Sequence, residues 1–122
     1  MELRNGRKRT EKQNETFCSR YHQTGRELAR ENGQTIGRQL VRAGTSVGAN
    51  YRSACRGRSR AEFAAKLGIV EEEADESAFW MEIIIETGLV ERRLVQPLLD
   101  EAEELVAIMV ASRKSLNRKS AI

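Results

Sequence analysis

A chain of 122 residues, 32% of them charged and only 5% aromatic, with a single proline, is the size of one domain and is composed for helices rather than for a sheet. No apolar run approaches the roughly 20 residues that span a bilayer, and the polar N-terminus carries no secretory apolar segment, so a soluble, cytoplasmic protein is expected. The only cysteines, Cys18 and Cys55, are then expected to be reduced thiols rather than a disulfide.

Residues 1–13 contain no large apolar side chain beyond Met1 and Leu3 and predict a flexible basic arm. A first helix is predicted over about 14–31, with Phe17, Tyr21 and Leu28 along one side and Asn32-Gly33 as its stop. A second is predicted over about 35–56, with Thr35 as N-cap and Ile36, Leu40, Val47, Tyr51 and Ala54 on one face. Gly44 and Gly48 lie one turn apart in it. Glycine costs about 1 kcal/mol in a helix interior, so the pair points to a close approach by another helix.

Arg56-Gly57 ends the second helix, and Ser59 followed by Glu62 forms a capping box that opens a third over about 60–87. Phe63, Leu67, Val70, Ala74, Ser77, Met81, Ile84 and Gly88 alternate in steps of four and three, an unbroken heptad seam, and Gly88 supplies the stop. A fourth helix is predicted from Pro97, a residue suited to a first turn, with Leu98, Ala102, Leu105, Met109, Ser112 and Leu116 as its seam. Arg113, Lys114, Arg118 and Lys119 load its C-terminal end, where cations favour the helix dipole, and 118–122 are expected to fray. Four amphipathic helices with short connections predict an all-α, antiparallel up-down-up-down four-helix bundle over residues 14–117.

Two surface features stand outside that core. At 100° per residue, Ile69, Phe79, Trp80 and Ile83 fall on or near the side of the third helix opposite its seam, beside Glu72 and Glu76. A patch of that kind on an isolated bundle predicts self-association, with these six residues as the oligomer interface. On the second helix Arg38, Arg42, Arg52 and Arg56 form one outward stripe, and Arg58 and Arg60 follow in the turn. The charge is uneven: residues 1–60 hold 14 Lys/Arg against 5 Asp/Glu, and residues 61–122 hold 7 against 13. The stripe therefore suits either phosphates or the acidic Glu72 and Glu76 of a neighbouring subunit.

Catalytic and metal chemistry find little support. His22, the only histidine, lies one turn from Cys18, but no orienting third residue or oxyanion device accompanies the pair. Glu73-x-x-Glu76 has the spacing of a bundle metal motif without its histidine, and Gly44-x-x-x-Gly48 lacks the Gly-Lys-Ser/Thr ending of a phosphate loop. No catalytic residue, metal ligand or cofactor site is assigned. Tyr21 and Tyr51 are too few for a base-stacking platform.

Ser46-Val47-x-Ala49-Asn50 followed by Arg58-Ser59-x-x-Glu62-Phe63 resembles the signature of the bacterial four helix bundle family, also called the 23S rRNA intervening-sequence proteins. Ile36-Gly37-x-Gln39-Leu40 before it and Glu72-Glu73-Ala74-Asp75-Glu76-Ser77 after it extend the resemblance over about residues 15–117. The resemblance implies a bundle that assembles as a ring-like homopentamer. It also implies kinship with accessory proteins of diversity-generating retroelements, which bind nucleic acid and a reverse transcriptase through a basic surface. Ser53 and Ala54 stand where the commonest pattern of the family has an acidic residue and glycine, so no role is carried over to a carboxylate there.

Two functions follow as expectations. The first is a non-enzymatic homo-oligomer that binds nucleic acid, above all structured RNA, through Arg38, Arg42, Arg52, Arg56, Arg58 and Arg60. The second is a protein-interaction scaffold whose arginines are consumed at subunit contacts.

Overall fold

The computed structural model describes residues 8–17, 19–20 and 33–120. These residues are helical apart from the connections, and no strand occurs among them. We label the helical residues 8–17 α1, followed by α2 (Gln34–Cys55), α3 (Arg60–Thr87) and α4 (Arg92–Ser120), the four helices of a bundle. Residues 1–7, Cys18, the segment 21–32 that holds Tyr21, His22, Leu28 and Asn32, and residues 121–122 lie outside the described residues.

α3 begins and ends where its local signals put it. The Ser59 hydroxyl accepts from the Glu62 N–H at 3.1 Å, and the Glu62 carboxylate accepts at 2.8 Å from the backbone N–H of Arg58, one residue earlier than a reciprocal box requires. At the other end Gly88 takes the left-handed conformation (φ 70°), and Leu89 N–H returns to the Ile84 carbonyl at 3.2 Å.

The remaining boundaries depart from expectation for identifiable reasons. Residues 8–13, expected as part of the arm, are helical. α1 buries only Asn14 and Phe17 and is otherwise polar, so its apolar periodicity is too sparse to mark where the helix starts. α2 starts one residue before Thr35, and its N-cap is Gly33, whose carbonyl accepts from Gly37 N–H at 2.8 Å with no side-chain cap. α4 starts at Arg92, a full turn before Pro97. The ring deprives only the Arg93 carbonyl of its usual donor, and burial of Val95 on the inward face holds the turn that precedes it. The helix then continues through Ser120, past the expected fray at 118.

Packing follows the seams. Leu67, Val70, Ala74, Ser77, Met81 and Ile84 are buried on α3, facing Leu40, Val47, Tyr51 and Ala54 of α2 and Val95, Leu98, Ala102, Leu105 and Met109 of α4. The buried Ser77 hydroxyl donates to the Glu73 carbonyl of its own helix at 2.7 Å, which satisfies it within the apolar core. Gly44 is buried and Gly48 half-buried on the inward side of α2. Two ion pairs tie the outer edges: Arg20 to Glu101 of α4 at 2.6 Å, and Arg113 of α4 to Glu71 of α3.

Candidate nucleic-acid interface

The arginine stripe is present on α2, but its members have different surroundings. Arg42 is taken within its own chain. Its Nε donates to Gln39 at 3.0 Å, Nη1 to Glu73 at 3.3 Å and Nη2 to Glu76 at 2.5 Å. Glu76 also accepts from the Trp80 indole N–H at 3.5 Å. The bond from Arg42 holds the Glu76 carboxyl below its ordinary range, whereas burial raises Glu73, and the Arg42 guanidinium is raised by its bond to Glu76. Glu76, expected to receive the stripe of a neighbouring subunit, is thus held by Arg42 of its own chain. The spacing of Arg42 and Glu76 on two helices joined by a four-residue turn lets them meet in one chain.

Arg38, Arg52, Arg56, Arg58 and Arg60 are exposed and make no ion pair among the described residues. They do not act together. Arg38 is about 21 Å along the helix from Arg52 at 1.5 Å per residue, and Arg60 lies on the exposed start of α3. Arg52, Arg56 and Arg58 converge with Lys66 of α3 on one concavity of about 520 Å³, completed by Ala49, Ser53, Gly57 and Glu62. Glu62, the one acid in the lining, spends an oxygen on the Arg58 N–H.

The local sequence explains this gathering. Arg52 is on the last turn of α2 and Arg56, four residues on, is its C-cap. The α2–α3 turn is tight because Gly57 N–H reaches the Ala54 carbonyl at 3.1 Å, and a Cβ at Gly57 would sit 3.1 Å from that same oxygen. The reversal brings Lys66, one turn after the cap residue Glu62, back over the end of α2. The sequence reading did not include Lys66. The signal was available in the distance of Lys66 from the turn, since antiparallel helices place residues equidistant from a short turn at one height.

Ser46 and Asn50, the first half of the signature, serve the scaffold. Asn50 Nδ2 donates to both the Ser46 hydroxyl and the Ser46 carbonyl at 2.9 Å, on the flank of α2 next to Ala49 and Ser53. Tyr51 points inward, and burial pushes its phenol well above the ordinary range, so it offers no ring to a base.

The predicted oligomer-interface residues also separate. Phe79 is 51% exposed and Ile69 37%, Glu72 is exposed, and Ile83 is half-buried. Trp80, expected at the exposed centre, is half-buried and packs on the core, with its ring edge-on to Phe79 at 5.2 Å. It sits next to Met81 of the seam, and its large ring reaches inward from that flank. Leu94, at the start of α4, is 52% exposed and was not singled out from the sequence.

The Cys18–His22 pair lies outside the described residues, and Cys55 is half-buried and forms no disulfide among the described residues. Glu73 and Glu76 are engaged by Arg42. No helix among the described residues is long and apolar enough to cross a membrane.

Comparison with known proteins agrees with the signature. No curated protein matches the chain. A crystal structure from Bacteroides thetaiotaomicron VPI-5482, of a protein with unknown function from the S23 ribosomal protein family, is similar at 30% identity and a TM-score of 0.79, over 85% of this chain and 97% of that one. The sequence model of the 23S rRNA-intervening sequence protein matches residues 9–111. Signature, fold and both comparisons agree, and the chain belongs to the 23S rRNA-intervening sequence protein family.

Proposed function

We propose that this chain is a non-enzymatic, cytoplasmic, homo-oligomeric bundle of up-down-up-down topology that binds structured RNA through the basic concavity at the α2–α3 turn. The carrying observation is the convergence of Arg52, Arg56, Arg58 and Lys66 on one recess in which the single acid is already engaged. Such a set attracts phosphate through charge-assisted bonds, and the absence of an aromatic lining favours backbone over base recognition. Self-association, in the pentameric ring implied by the sequence resemblance, is supported by the exposed Phe79, Ile69 and Leu94.

Phe79 lies about 20 Å along α3 from Lys66, so the arginines of the recess need not be consumed when subunits meet there. A salt titration of binding to a folded RNA tests the proposal. Phosphate neutralisation predicts a marked loss of affinity as salt rises. Absence of binding at low salt would favour the alternative, a protein-interaction scaffold.

A further inference from the structure

Arg52, Arg56, Arg58 and Lys66 line a single recess at the α2–α3 turn. An internal phosphate of a continuous strand reaches such a recess only if the chain bends into it, because a nucleotide continues on both sides. A strand end has no such constraint. Four cations and one carboxylate also leave a formal charge of +3 on the lining at neutral pH. Attraction scales with the charge of the incoming group. A phosphate monoester carries about −1.5 to −2 near pH 7, against −1 for an internal diester, and offers three free oxygens to the arginine forks. The volume of about 520 Å³ lies within the roughly 300–1,000 Å³ of small-ligand sites and admits a terminal nucleotide with its phosphate. No aromatic ring lines it, so the phosphate rather than the base is what it can select.

We propose that this recess is a strand-end pocket, selecting the terminal phosphate monoester of an RNA over its internal diesters. The proposal rests on the RNA-binding function above and narrows it.

The test uses the full-length protein and one RNA sequence with an internal fluorophore, prepared with a 5′-phosphate, with a 3′-phosphate, or with hydroxyls at both ends. Fluorescence anisotropy at low salt is expected to give about tenfold tighter binding for one phosphorylated form, which identifies the end selected. Arg52→Gln combined with Arg56→Gln is expected to bring that preference within about twofold, with an unchanged circular-dichroism spectrum and melting curve because both side chains are exposed. Equal, measurable affinity for all three RNAs overturns the strand-end pocket and leaves RNA binding standing. A preference that survives the double substitution overturns its assignment to this recess. No binding to any of the three overturns both.

Discussion

The outer face of α3 carries two surfaces of opposite character. Near its start, Glu62 and Lys66 close a recess with Arg52, Arg56 and Arg58. Seventeen residues on, about 26 Å away along the helix, Ile83 and the exposed Phe79 present an apolar surface. Between them the acidic run 71–76 supplies Glu73 and Glu76, and these clasp Arg42. The contrast shows what decides the fate of an arginine on α2. At the height of the acidic run it is neutralised within the chain. Beyond that run, at the turn, it makes no ion pair among the described residues. Identical residues on one stripe thus have different surroundings, because Glu73 and Glu76 of the facing helix reach Arg42, whereas Glu62, the carboxylate at the turn, accepts from the Arg58 backbone N–H.

The comparison can be broken most severely at the apolar end. Met81 and Phe79 lie two residues apart, one fully buried and one half exposed. Met81→Ala is expected to cost about 3 kcal/mol in chemical denaturation. Phe79→Ala is expected to cost under about 1 kcal/mol in dilute subunits, and to lower the melting temperature more as concentration rises, since its proposed partner is another copy. Equal losses for the two variants, independent of concentration, would remove the case for an interface there.

Charge reversal separates the ends. Arg52→Glu with Arg56→Glu is expected to weaken RNA binding about a hundredfold at low salt, while the proposed oligomer keeps its mass in sedimentation. Phe79→Glu should do the reverse, dissociating the oligomer while preserving the affinity of each subunit for a short RNA. Phe79 is preferred to Trp80 for this experiment because Trp80 packs on the core and its loss would also unsettle the fold.

The two glycines that flank α3 give smaller effects. Gly88 has φ 70°, and Gly88→Ala is expected to cost about 1–2 kcal/mol although nothing crowds its Cβ position. At Gly57 the added Cβ meets a backbone oxygen at 3.1 Å, so a smaller loss, under about 1 kcal/mol, is expected in thermal denaturation.

The smallest effect concerns acid. Glu76 has a lowered folded pKa, so its stabilisation is present at neutral pH and is lost as pH falls through that value. Glu73 has a raised folded pKa, so its contribution runs the other way and is lost as pH rises. The two oppose each other. Glu73→Gln should therefore make the protein more sensitive to acid than wild type between about pH 5 and pH 3, by less than about 1 kcal/mol, as both carboxylates are partly open to solvent. An unchanged or flatter acid profile would contradict this balance.

Much of the fold was legible because its signals are local. Ser59 with Glu62, and Gly88, fix the limits of α3 without reference to the rest of the chain, and a heptad seam identifies its buried side. The start of α1 was not legible, since Asn14 and Phe17 are all that its first ten residues bury. Pro97 misplaced the start of α4 because a favourable first-turn residue was also tolerable one turn later. The arginines were legible as a group and not one by one. Arg42 meets Glu73 and Glu76 across more than thirty positions, and Lys66 joins the recess only through the reversal at Gly57, so both depend on tertiary placement.

The central claim is that the cations left over at the α2–α3 turn hold phosphate. Measuring RNA affinity against salt for wild type and for Arg52→Gln combined with Arg56→Gln tests it most directly. A wild-type affinity that falls as salt rises, with a shallower salt dependence in the variant, is the predicted result. The same slope in both proteins, or no binding at the lowest salt, would contradict it.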